Sequence, residues 1–370
     1  MIYEPLPDFS QRITRRWHHP DVHLPWSEWS EDQTLHVVVP YSNPFRWRTR
    51  RELVNDSIRH LRGMANIDLH VVELAFGDRP FELTGDDPRD VQLRTSCELW
   101  HKEQLINLGV ARFPADWQYG AYVDGDFHFT RHDLGLEAIH QLQHYDFVQL
   151  FSQYADLSGE TYGTGNRVLR INNGFAFNYV QRGCQLPEGF MNGGWKVPGS
   201  VDDQYYEMAM GIAPSGVGAT GGAWAFRRAA FNRVGGMLDS CILGHGDWFM
   251  AFGLVGEDAP DMHVDGYTAQ YREAIAAWQK NAARLKKNIG YVDAFATHNF
   301  HGAKSRRGYS SRDLILVKHQ FNPVEDLRKD WQGLWELTPD KPGQRDDIRR
   351  YFITRSEDDP NLYGDAPKEK

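Results

Sequence analysis

Leu35-His36-Val37-Val38-Val39-Pro40 is a near-continuous β-branched run, and a strand with so little polar surface has to be covered on both faces. That requirement points to a parallel sheet held between helices. Pro40 ends the run and a loop follows. From about Thr49 the apolar positions Val54, Ile58 and Leu61 recur as one helical face requires. Ile67 to Ala75 then reads as a second strand, closed by Gly77-Asp78. A β-α-β unit at the outset is the building block of parallel sheets.

The alternation continues with a short strand at Val91 to Arg94, a helix from Trp100 to Val110 ended by Gly109 and Pro114, and a strand from Tyr119 to Val123. A helix at Asp133 to His144 and a strand at Phe147 to Phe151 complete a doubly wound unit over residues 34–151. Open α/β sheets bind ligands at the carboxyl ends of their strands. There the chain places Asp124-Gly125-Asp126. Residues i and i+2 of an extended segment share a face, so the two carboxylates can meet one hard cation or a metal-bound diphosphate. Gly125 lets a ligand approach the backbone. A bare DxD is common in solvated loops, and its position at a strand end is what makes it a site candidate.

With 370 residues, 41% hydrophobic and 25% charged, the chain can bury a full core as one large or two moderate domains. A net charge of -9 gives no global attraction to nucleic acid. Cys97, Cys184 and Cys241 show no CxxC spacing, which favours buried reduced thiols over a disulfide framework or a zinc knuckle. No stretch approaches the roughly 20 apolar residues of a membrane span, and Met1 to Pro5 carries no signal-peptide pattern, so a soluble cytoplasmic protein without a membrane partner is expected. Residues 1–33, rich in Trp, His and Pro, read as an arm on the body. Ser158 to Ser200 reads as a lid with Trp195 near its tip. Tyr267 to Lys287 is the clearest helix, its aromatic stripe a core face, and the strand Tyr291 to Ala296 leads into His298 and His301. Lys304, Arg306, Arg307 and Arg312 form a basic cluster. The end, from Glu357, is charged and expected to fray.

The β-α-β start, the basic loop after the first strand and the strand ending in Asp124-Gly125-Asp126 resemble the nucleotide-sugar half of GT-A glycosyltransferases. Gly221-Gly222-Ala223-Trp224-Ala225-Phe226, followed by Gly244-His245-Gly246-Asp247-Trp248-Phe249, looks like the acceptor-side signature of galactosyltransferase-like members, and Thr297-His298-Asn299-Phe300-His301 sits where such enzymes often keep a histidine ligand. The resemblance implies an α/β fold of GT-A type: a Rossmann-like, mostly parallel sheet with a nucleotide-sugar half at 34–151, an acceptor-binding and catalytic half at 152–310, and a helical carboxyl-terminal extension at 311–370. It implies Mn2+ or Mg2+ held by Asp124, Asp126 and His301, with His298 in reserve, and a UDP-sugar as donor. Pro40, Tyr41, Asn43, Arg46, Glu73, Lys102, Asp124, Gly125 and Asp126 would meet that donor, with the alternative that the arginine-rich helix start is only solvated.

Transfer to a hydroxyl requires a base, and Asp247 is the candidate, acting in an inverting displacement; the competing reading is a cap for the helix beginning at Trp248. Trp195, Gly222, Trp224 and Trp248 are the expected acceptor contacts. The tail from His301 through Asp330-Trp331-Gln332-Gly333-Leu334 to Arg345-Asp346-Asp347-Ile348-Arg349-Arg350-Tyr351-Phe352 looks like that of phage-encoded glycosyltransferases, which implies an extrahelical 5-hydroxymethylpyrimidine in DNA as acceptor. A cytosolic glycan or protein is the alternative acceptor. A nonenzymatic carbohydrate-binding protein on the same scaffold is the alternative of another class. A sugar nucleotidyltransferase would need a glycine-rich basic loop after the first strand, and Tyr41-Ser42-Asn43-Pro44 is not one.

Overall fold

The structure, a computed structural model, describes residues 34–159, 167–187, 216–259, 266–309 and 311–359. The expected arm, the lid tip with Trp195 and the last eleven residues lie outside the described residues. In chain order the first strands are β1 (Leu35–Ser42), β2 (Ile67–Phe76), β3 (Val91–Thr95), β4 (Tyr119–Val123), β5 (Phe127–Phe129), β6 (Phe147–Gln149), β7 (Gln153–Leu157) and β8 (Val168–Asn173). After them come β9 (Ala223–Arg227), β10 (Ile289–Tyr291), β11 (Phe295–His298) and a hairpin of β12 (Leu327–Lys329) and β13 (Trp335–Leu337). The helices that bear on the site are α1 (Arg48–Arg62), α2 (Lys102–Val110), α3 (Gly246–Leu254) and α4 (Pro342–Thr354).

The central sheet has seven strands in the order β10-β6-β9-β4-β1-β2-β3. Only β9 runs antiparallel to its neighbours. This is the mostly parallel α/β sheet that the sequence calls for. Its two faces explain the opening valine run: Val38 joins a core with Val72 and Tyr122 on one side, whereas Val37 and Val39 join Leu69, Val71 and Ala121 on the other. Each fully buried valine contributes roughly 1.5–3 kcal/mol, so the run commits β1 to the centre. Gly109 lies inside α2 rather than ending it. A Cβ there would come within 2.7 Å of Val72 and 2.8 Å of Val38, so glycine lets the helix close on the sheet.

A second sheet, β5-β11-β7-β8, starts where the first leaves off. The strand expected at Tyr291 to Ala296 is divided: β10 extends the central sheet, and β11 crosses to pair with β5 and β7. That switch puts His298 opposite Phe127 and beside Asp156. The carboxyl-terminal region folds back over the first helix. Asp358 accepts hydrogen bonds from the Arg48 and Thr49 amides at 2.7 and 2.8 Å, supplying the acid that α1 lacks in its own first turn. The expectation of a frayed end from Glu357 is corrected here: Glu357 is buried, paired with Arg50 and Arg355. Among the described residues no helix is long and apolar enough to cross a membrane.

Candidate active site

The turn Asp124-Gly125-Asp126 joins the two sheets. Its backbone is pinned at both ends, the Asp124 amide donating to Gly222 O at 2.7 Å and the Asn299 amide donating to Asp126 O at 2.8 Å. Gly125 faces Val54 so closely that a Cβ would stand 2.6 Å from it. The turn thus needs glycine for packing as well as for access. Asp126 Oδ2 lies 2.7 Å from His301 Nε2 and 3.6 Å from His298 Nε2. Ligand atoms of Asp126, His298 and His301 all fall within 4.8 Å of one another.

The surroundings orient this trio. His298 Nδ1 sits 2.8 Å from Asp156 Oδ1, and Asp156 is itself fixed by Arg170 and Asn172. Burial disfavours the imidazolium of His298, yet Asp126 and Asp156 hold its pKa up at about 9. Burial likewise works against the Asp126 carboxylate, but the two histidines keep it ionised well below the usual range. Burial and the Arg307 charge push His301 down. Asp126 Oδ1 is buried without a hydrogen-bond partner. One carboxylate and two imidazoles converging, with one carboxylate oxygen unsatisfied, form a donor set suited to a divalent transition metal, and the residues fit the implied cation.

His298, the reserve ligand of the sequence reading, is part of that convergence, and Asp124 stands apart from it. Its Oδ2 is taken by Lys102 Nζ at 2.9 Å, and the same ammonium lies 3.6 Å from Asp247 Oδ2. Lys102 therefore bridges the first aspartate of the turn and the candidate base. Burial pushes Asp124 up to about 6, against the pull of Lys102. Asp247 is at the start of α3, its Oδ1 2.9 Å from the Trp248 amide, so it serves the helix end and still opens into the cleft. Gly221 makes room for it: a Cβ there would overlap Asp247 Oδ2. Beneath Lys102, burial raises Glu103 to about 8, which leaves a neutral acid under the charged trio of Lys102, Asp124 and Asp247.

The cleft has two lobes that share Trp100, Lys102, Asp124, Asp126, His301 and Arg355. One lobe carries Pro40, Tyr41, Arg50 and Gly125. The other carries Gly222, Asp247, His298 and the arginines 170, 307 and 312. Several expected contacts are elsewhere. Glu73 is buried and saturated by the loop it holds, accepting from the Leu83 and Thr84 amides and the Thr84 hydroxyl. Asn43 ties Tyr41 to Trp47, and Arg46 points to solvent with Glu82 3.8 Å away. Trp224 donates its indole N–H to Thr220 O inside the core, and Trp248 packs on Phe252, so neither forms a wall of the cleft. Asp156 goes unread in the sequence, and Glu357 is read there only as the start of a charged end. Only the i, i+2 spacing of Gln153 to Leu157 could have flagged the first.

No protein-family model matches the chain, and no curated protein matches it. Among solved structures, a Desulfovibrio desulfuricans G20 protein provisionally named a nucleotide-diphospho-sugar transferase aligns at 12% identity over 78% of this chain and 98% of its own, with a TM-score of 0.30. A mutant of Drosophila beta-1,4-galactosyltransferase 7, complexed with manganese, UDP-Gal and xylobiose, aligns at 10% identity over 84% and 97%, with a TM-score of 0.34. Overlaps this loose assign neither family nor activity.

Proposed function

We propose that the chain is a metal-dependent glycosyltransferase that moves a sugar from a nucleoside diphosphate donor, a UDP-sugar first, to a hydroxyl acceptor. The observation that carries this reading is the juxtaposition, at the carboxyl edge of the parallel sheet, of the Asp126-His298-His301 trio with Asp247 across the Lys102 bridge. A divalent cation held by the trio, Mn2+ before Mg2+ because two imidazoles contribute, would neutralise the charge that develops on a diphosphate leaving group. Asp247 takes the acceptor proton as the new C–O bond forms on the face opposite the leaving group, giving inversion. Lys102 bridges Asp247 and Asp124 while it faces the donor. Tyr41 and Arg50 line the lobe assigned to the nucleotide.

For the acceptor we favour an extrahelical 5-hydroxymethylpyrimidine in DNA, because Arg170, Arg307 and Arg312 line the other lobe and an enzyme acting on a base must expose it. Titration calorimetry with UDP-, GDP- and TDP-sugars, with and without Mn2+, tests the donor reading on wild type and Asp126→Ala. Metal-dependent binding of one donor, lost in the variant, is expected; no binding of any donor under either condition would refute it. Sugar transfer to hydroxymethylated but not unmodified DNA is the expected acceptor result, and transfer only to glycans or proteins would overturn that half.

A further inference from the structure

At the amino-terminal edge of the central sheet, away from the cleft, lies a second group of metal-ligand type. His36 is on β1, and Asp68 and His70 are on β2. His36 and Asp68 are direct partners in the parallel register, and Asp68 and His70 are separated by one residue, so all three side chains leave the same face of the sheet. Their donor atoms form a nearly equilateral triangle: His36 Nδ1 to Asp68 Oδ2 is 3.1 Å, His70 Nε2 to Asp68 Oδ2 is 3.2 Å, and His36 Nδ1 to His70 Nε2 is 3.4 Å. Ligands about 2.0–2.1 Å from a tetrahedral zinc ion stand about 3.3 Å from each other. The triangle has that edge length on every side.

The setting fits a cation too. His36 and His70 are 6% and 3% exposed, so neither nitrogen can be served freely by water. Phe113 covers both rings, with centroids 5.2 and 4.7 Å away. Asp68 is the open corner. Its other oxygen, Oδ1, accepts from Arg89 at 2.9 Å, which fixes the carboxylate so that Oδ2 faces the histidines. Nδ1 of His70 is buried without a partner, so the carboxylate side supplies the orientation.

We propose that His36, Asp68 and His70 bind a zinc-class divalent ion, with three protein ligands and the fourth position open on the Asp68 side. The ion clamps β1 to β2 at the amino-terminal edge of the sheet. It is separate from the cleft, with which it shares no lining residue, and it stands whether or not the chain transfers sugars.

The test uses the full chain carrying Asp126→Ala together with His298→Ala and His301→Ala, so that the cleft trio does not contribute. After removal of metal with a chelator, Zn2+ and Co2+ are titrated separately and the zinc-loaded protein is examined by X-ray absorption. One equivalent of zinc in a low-coordinate N/O shell with imidazole scattering is expected, with visible bands of tetrahedral Co2+. Adding Asp68→Asn or His70→Gln should weaken zinc binding by at least about a hundredfold, more than the loss of an outer-shell partner costs. No zinc uptake by this triple variant, or a shell without imidazole, would overturn the proposal. So would unchanged affinity in both added variants. The X-ray absorption arm needs only the intact trio, so a variant that fails to fold leaves the answer decided.

Discussion

The two ends of the central sheet carry the same ligand types, two histidines and an aspartate, in opposite settings. At the carboxyl edge, Asp126, His298 and His301 open into a cleft beside Asp247, Lys102 and a neutral Glu103. At the amino edge, His36, Asp68 and His70 sit under Phe113 with an arginine behind the carboxylate. Donor chemistry alone therefore does not distinguish a reaction centre from a clamp. What distinguishes them is which other groups can reach a bound molecule.

The comparison breaks most visibly at Asp247. Asp247→Asn should lower the turnover of sugar transfer roughly 100- to 10,000-fold while donor binding is nearly unchanged. Retained turnover, or loss of donor binding, would mean that the cleft end lacks the base that sets it apart. Next in size is Glu357→Ala, which strands Arg50 and Arg355 in a buried setting and should cost about 3–5 kcal/mol in denaturant unfolding. A loss below about 1 kcal/mol would show the tail to be an ornament of the cleft.

Glu103 sharpens the contrast through pH. Its folded-state pKa of about 8 lies above the value in an unfolded chain, so the native state keeps a proton that the unfolded chain releases. Stability should fall as pH rises from the ordinary carboxylate range toward 8, by up to about 1.4 kcal/mol per unit, and this group's slope should end beyond that. Glu103→Gln should flatten that part of the profile; an unaltered profile would place the titration elsewhere. The smallest effect is expected from Asp68→Asn, which should leave sugar transfer unchanged. A tenfold fall in transfer would tie the two edges together functionally.

Much of this arrangement was legible in the sequence where local pattern determines structure. A two-faced valine run needs a central strand, and an apolar strand ending in Asp124-Gly125-Asp126 places the acids at a sheet edge. Side-chain direction was less legible. Trp224 and Trp248 lie in glycine-rich stretches that suggest a binding wall, yet each points into the core because its neighbours in the fold, Thr220 and Phe252, take up its polar and apolar surface. Glu73 and Asn43 stand at strand and loop ends like ligands but spend their hydrogen bonds on the backbone around them. Lys102 and Asp156, both distant in sequence, decide where Asp124 and His298 point. The triangle at His36 joins residues more than thirty positions apart, and only register brings them together.

The tie between Asp358 and the start of α1, with Glu357 on Arg50, joins an early helix to a late segment of the chain. During synthesis, β1 to β4 and the Asp124-Gly125-Asp126 turn can form while Arg50 still lacks its carboxylate partner and α1 its distant cap. The lobe lined by Pro40, Tyr41 and Arg50 is thus completed only after residue 358 has left the ribosome. Completion of the cleft is timed to the emergence of the carboxyl-terminal segment rather than to the folding of the strands that carry the acids, and a nascent chain arrested near residue 350 would hold the turn without the finished cleft.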